Sequence, residues 1–129
     1  MTDPIADMII RIKNACMAER KDLVMPHSRV KEAIIKLLKE NNYITDYEVI
    51  EKAPQKEIKI VLRYVGKLSA ITDVKRVSKP GKRTYVKASE IPKTLNGYGL
   101  TILSSNLGIM DDKAARKAKV GGEILCQIW

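Results

Sequence analysis

The amino-acid sequence predicts an α+β protein of two small domains. An N-terminal layer of two helices and three strands spans residues 1–65, and a C-terminal, mainly β domain with one short helix spans residues 66–129. Three observations carry this expectation. Apolar residues recur with a helical period in two early segments, and from residue 43 the period shortens to that of a strand. The second half then breaks into strand-like runs separated by Gly, Pro and Asn, with one helical stretch opened by aspartates.

The first helix is announced by Asp3-Pro4, a capping acceptor followed by proline at the first helical position, and it places Ile5, Met8, Ile9, Ile12 and Cys16 on one face. Leu23, Val24 and Met25 form an extended piece stopped by Pro26. Ser28 then caps a second helix with Val30, Ala33, Ile34, Leu37 and Leu38 inward, ended by Asn41-Asn42. Tyr43, Thr45, Tyr47 and Val49 alternate with Ile44, Asp46 and Glu48, and a polar turn at residues 53–56 leads to Ile58, Ile60, Leu62 and Tyr64, which predicts a hairpin. Its apolar face covers the two helices, so this core is expected to close near Val65, with residues 66–70 as a linker.

In the second half, strands are expected over residues 72–77, 83–86, 100–104 and 123–129, with a turn at Lys79-Pro80-Gly81-Lys82. Residues 89–99 hold Pro92, Asn96, Gly97 and Gly99 and read as a structured loop. Asp111 or Asp112 caps a short helix through Ala118, and Gly121-Gly122 are expected to leave it with positive φ. Trp129, after Ile124, Leu125 and Ile128, places the last strand inside a sheet.

Composition narrows the function. No apolar run approaches the ~20 residues of a membrane span, and Asp3 and Asp7 stand where a secretory signal would be basic, so a cytoplasmic protein with no membrane partner is expected. Cys16 and Cys126 lie far apart in apolar surroundings, without a CxxC pair or a histidine cluster, which predicts two reduced thiols and neither metal nor cofactor. The net charge of +9 is uneven: residues 1–65 carry twelve basic and ten acidic side chains, residues 66–129 twelve and five. Such a field attracts a polyanion.

Candidate contacts concentrate in the second half. Lys79, Lys82 and Arg83 put three positive charges at a hairpin tip within reach of phosphates, and Tyr85 on the adjacent strand suits stacking or a 2′-hydroxyl contact. A solvated turn with a half-buried tyrosine is the competing reading. Lys113, Arg116 and Lys117 share a helix face with no acid at i+3 or i+4 to neutralise them, against the alternative of a merely solvated face. Ser104-Ser105-Asn106, at the exit of a buried strand, clusters short groups that donate and accept, as contact with an irregular RNA surface requires, although small polar residues also simply favour turns. Enzyme chemistry fits poorly. A nucleophilic Ser104 or Ser105 would need the sole histidine, His27, from a separate segment, and Asp111, Asp112 and Glu123 as magnesium ligands compete with plain helix capping.

Asp3-Pro4-Ile5-Ala6-Asp7-Met8 with Arg11 and Asn14, then Ser78-Lys79-Pro80-Gly81 with Arg83 and Tyr85, then Gly108-Ile109-Met110 leading to Ala115-Arg116 and Val120-Gly121-Gly122-Glu123, stand in this order along the chain. Together they resemble the family of small-subunit ribosomal protein number eight, bacterial type. The resemblance implies a structural ribosomal protein with no catalysis, which binds an irregular helix in the central domain of small-subunit ribosomal RNA, helps assemble it, and neighbours other small-subunit proteins. It also implies that some members repress their own messenger RNA. Ser104, Ser105 and Asn106 match the family's Ser-Thr-Ser loop, the first identically, and Glu123 matches a glutamate beside it that orients the serines or accepts from a base. Leu107 stands where many members are basic. By the same resemblance Arg11, Asn14 and Arg29 are secondary RNA contacts. A general RNA-binding protein without a ribosomal role is the alternative.

Overall fold

The protein is described by a computed structural model over residues 3–51, 54–94 and 98–129; Ala53 of the expected turn and Asn96 and Gly97 of the expected loop lie outside the described residues. Helix α1, Pro4–Met17, starts where Asp3, in extended conformation, accepts a hydrogen bond from the Ala6 N–H at 3.2 Å, and its inner face buries Met8, Ile9, Ile12, Ala15 and Cys16. Strand β1, Asp22–Pro26, follows. Helix α2, Arg29–Glu40, is capped by the Ser28 hydroxyl, which accepts from the Lys31 N–H at 3.1 Å. Past its end Asn42 takes a φ of +64°, a left-handed conformation that asparagine tolerates well.

Strands β2, Ile44–Ile50, and β3, Glu57–Leu62, form the expected hairpin, and β1 pairs with the other edge of β3, giving an antiparallel sheet in the order β1-β3-β2. The central strand shows clean alternation, with Ile58, Ile60 and Leu62 buried. On β2 the register shifts between Ile44 and Asp46. This irregularity lets Ile44 and, beyond it, Tyr47 both pack on the core, although strict alternation would separate them.

Residues 66–70, the expected linker, are not loose chain. Strands β4, Tyr64–Val65, and β5, Leu68–Ser69, make a tight hairpin in which Gly66 supplies a φ of +67°. Nor does the first core close at Val65. One continuous cluster joins Met8, Ile12, Ile34, Leu38 and Ile60 to Ile71, Leu100, Ile102, Cys126 and Ile128, so apolar surface left open by the N-terminal layer is covered by the second sheet.

That second sheet contains β6, Val74–Arg76; β7, Tyr85–Val86; β8, Leu100–Ser105; β9, Gly108–Asp111; and β10, Gly122–Ile128. Its order is β6-β10-β8-β9, and β7 pairs with β10 beyond the end of β6. β9 was not expected; residues 106 and 107 form a two-residue turn and the return strand is only four residues long. Helix α3, Asp112–Ala118, crosses this sheet with Ala115 buried in a satellite cluster around Leu103 and Ile91. The helix leaves through Lys119, at φ +58°, and not through the glycines.

Both cysteines are free and buried, and burial pushes the Cys126 thiol up to about 12. Among the described residues no helix is long and apolar enough to cross a membrane.

An ion pair ties the two halves together: Arg76 Nε lies 3.0 Å from Asp3 Oδ2, with the side chains 9% and 19% exposed. Burial pushes the Asp3 carboxyl up, but the hydrogen bonds from Arg76 and the Ala6 N–H, with the Arg76 charge, outweigh it and hold the group below its ordinary 3.8. Asp3→Asn keeps a capping side chain while removing the charge, and is expected to cost about 1 kcal/mol at neutral pH. Because the folded-state value is depressed, this stabilisation is fully present above 3.8 and is lost as pH falls through the lowered value. Denaturant melts of the two proteins should therefore differ at pH 7 and converge in acid.

Candidate nucleic-acid interface

The pairing register of β10 decides what stands beside Glu123. It is opposite Ser104 on β8 and Tyr85 on β7, and Ser104 is opposite Ile109 on β9. Directly paired residues project from the same face, so Tyr85, Glu123, Ser104 and Ile109 form one row across four strands. Further along, that face carries Cys126 opposite Ile102 and Ile128 opposite Leu100, all within the core. The face is thus buried at one end and emerges at the row, where Tyr85 is 69% exposed. A half-buried tyrosine is ruled out.

Two glycines permit this arrangement. A Cβ on Gly122 would stand 2.2 Å from the Ser104 carbonyl oxygen, and one on Gly121 would stand 2.2 Å from that of Val86. Their role is close backbone approach, which brings β7 and β8 tight against the start of β10.

Glu123 is held from the β6–β7 side. The hydroxyl of Ser78, a fully buried residue, donates to Glu123 Oε2 and accepts from the Thr84 N–H at 3.1 Å. Arg83 Nη1 donates to the same oxygen at 3.1 Å. Glu123 therefore answers to Ser78 and Arg83, and the expected role of orienting the serines of β8 finds no hydrogen bond here. Beyond Ser78, exposed Lys79 and Lys82 close a turn through reciprocal backbone bonds of 3.0 and 2.9 Å.

At the other flank the Ser105 hydroxyl donates to the Gly108 carbonyl at 3.0 Å and accepts from the Leu107 N–H at 3.1 Å. Its proton is engaged inside the turn, so Ser105 shapes the loop that displays Asn106 and Leu107, both exposed. Gly108, at φ +113°, completes the reversal.

On α3, Asp111 caps the helix through the Ala114 N–H at 2.8 Å, and Lys113 and Lys117 are exposed. Arg116 is a correction. Its Nη1 lies 2.6 Å from Oδ2 of Asp112, at i−4, and its Nη2 donates to the carbonyls of Ile91 and Pro92. Asp112 is buried and also accepts from the Thr101 N–H, so this guanidinium neutralises an interior carboxylate and is not an uncompensated surface charge.

Of the secondary residues, Arg11 and Asn14 line one open groove on α1 with Arg20 and Leu23, and Arg11 pairs with Asp7 at 3.1 Å. Arg29, exposed at the start of α2, does not line that groove. The enzyme readings lose their parts: His27 is hydrogen-bonded to Glu32 at 2.7 Å, and Asp111, Asp112 and Glu123 are each separately engaged. Among the described residues no group of His, Cys, Asp and Glu is placed to hold a metal.

Sequence reasoning passed over three residues. Lys87 follows Tyr85 by two, and strand periodicity was a signal for it; it is exposed beside Gly121. Lys119 is exposed at the end of α3. Ser78 was quoted only as part of a motif, and its buried bond to a residue 45 positions away had no local signal.

The family described as ribosomal protein S8 matches residues 3–129. The chain belongs to the ribosomal protein S8 family. It is 55% identical to small ribosomal subunit protein uS8 of Mycoplasmopsis synoviae and 53% identical to that of Dictyoglomus thermophilum, in each case over 100% of this chain and 98% of the relative. The protein of the same name from Latilactobacillus sakei is 49% identical over the same shares. As a member of the S8 family the chain is a ribosomal protein, resident in the ribosome in the cytoplasm, and not an enzyme.

The contrast between Arg116 and its helix neighbours is measurable. Arg116→Ala strands the buried Asp112 carboxylate and is expected to cost about 3 kcal/mol, which lowers the melting temperature by roughly 10 °C. Lys113→Ala and Lys117→Ala, on the solvated face, should leave the calorimetric transition within about 2 °C of the parent.

Proposed function

We propose that this S8-family chain is a structural constituent of the small ribosomal subunit that binds the central domain of small-subunit ribosomal RNA directly, at an irregular helix, and helps assemble and stabilise it. Its support is the make-up of one face. An exposed aromatic, an acceptor-only carboxylate and a hydroxyl stand in a row at Tyr85, Glu123 and Ser104, with the Asn106 amide on the adjoining turn. Cations project from the neighbouring elements, at Lys79 and Lys82 on one side and Lys113 and Lys117 on α3. Long cationic side chains suit phosphates, which position a duplex without reading it. Short polar groups and an aromatic suit bases that an internal loop has freed from regular stacking.

Labour on this face is divided between positioning and reading. Lys79, Lys82, Arg83, Lys113 and Lys117, with Lys87 added and Arg116 withdrawn, grip the backbone. Ser104, Asn106, Glu123 and Tyr85 meet the irregular core, and Ser105 holds the turn in shape. Arg11, Asn14 and Arg29 are proposed to touch a second RNA segment. A mimic of the same stem in the chain's own messenger RNA would be bound by the same face, and neighbouring small-subunit proteins would meet surfaces outside it.

Footprinting on fragments of small-subunit ribosomal RNA tests this. Compact protection of one central-domain helix is expected, whereas uniform protection of all duplexes would replace it with a general RNA-binding role. Lys82→Ala should weaken every RNA alike and lower the slope of log K against log salt by about 1. Asn106→Ala should weaken the irregular stem by about ten-fold and leave a regular duplex within two-fold, as read by filter binding.

A further inference from the structure

A carboxylate on a face that receives a polyphosphate needs an explanation, because it repels the ligand. In this structure Glu123 is 17% exposed and receives two bonds, from the Ser78 hydroxyl and from Arg83, both at Oε2. Among the described residues no hydrogen bond is made to Oε1. Arg83 is 48% exposed, and its charge is opposed by the carboxylate 3.1 Å away.

We propose that the Arg83–Glu123 pair is a partner-exchange gate that sets specificity, with Ser78 as the positioning residue that keeps the carboxylate in the row. The inference rests on the RNA-binding function above and adds how a regular helix is refused. In the free protein Glu123 neutralises Arg83, so a phosphate gains little from that guanidinium. For Arg83 to serve the RNA in full, Glu123 must find another donor, and a carboxylate only accepts. Phosphates carry no donor. The amino and imino groups of unpaired bases are donors, and an internal loop presents them beside the backbone. An irregular stem therefore supplies both halves of the exchange, a phosphate for Arg83 and a free base donor for Oε1, whereas a regular duplex offers the phosphate with only 2′-hydroxyls and paired base edges, held where A-form geometry fixes them.

The exchange has a signature that loss of structure does not imitate, namely a gain. Glu123→Gln releases Arg83, so affinity for a regular RNA duplex should rise about five-fold and its salt slope should steepen by about 1, one additional phosphate contact. The preference for the irregular stem should shrink accordingly. Arg83→Gln, at a half-exposed position, should leave the regular duplex within two-fold and weaken the irregular stem. In the Arg83→Gln background, Glu123→Gln should bring no steepening of the slope.

Titrations of the full chain and the three variants against both RNAs, at several salt concentrations, read all of this. Unchanged or weaker duplex binding by Glu123→Gln would overturn the gate, and so would an equal gain in the Arg83→Gln background, which would reduce Glu123 to diffuse repulsion. If the unsubstituted chain fails to prefer the irregular stem, base reading falls. The Arg83-dependent gain on the regular duplex is judged separately from that outcome.

Discussion

Strand β10 is hydrogen-bonded along both edges, to β8 on one side and to β6 and β7 in succession on the other, and the rest of the C-terminal half is arranged around it. Its inner residues, Cys126 and Ile128, enter the core shared with the helices of the N-terminal layer, while its first residues, Gly122 and Glu123, lie where the sheet face reaches solvent. One strand thus anchors the fold and carries the candidate face. The two demands meet at Gly121 and Gly122, where the absence of a side chain lets flanking backbone close in to a distance that no Cβ would allow.

Charge is divided with similar economy. The basic excess of the second half is not a uniform coat: Arg76 is engaged by Asp3, Arg116 by Asp112 and Arg83 by Glu123, while the exposed lysines stand on the turn and on α3. Arginine takes the structural pairs because its planar fork serves several acceptors at once, as Arg116 does with a carboxylate and two carbonyls. Lysine, compact and strongly hydrated, is left to the solvent side.

Much of this was legible from local signals. Asp3, Ser28 and Asp111 cap the three helices because the cap and the first turn are neighbours in sequence, and the β2–β3 hairpin shows its period over six or seven residues. β4, β5 and β9 were not legible, being two to four residues long, too short for alternation to register. Ser104, Asn106 and Tyr85 were picked out by residue type, but their common row depends on strand register, which no single segment encodes. The partner of Arg116 lies at i−4, on the N-terminal side, where the absence of acids at i+3 and i+4 gives no signal. Asp112 lies one turn earlier, and its burial depends on Thr101, a strand away.

The position of β10 in the chain has a consequence for biogenesis. The strand with which β6, β7 and β8 all pair is made after them, at residues 122–128, and the carbonyl of Trp129 receives the backbone N–H groups of Thr72 and Asp73. During synthesis β6, β7 and the β8–β9 hairpin emerge with open edges, because the strand that completes their sheet follows them. Until β10 pairs, the cations of these elements lack the scaffold that aims them.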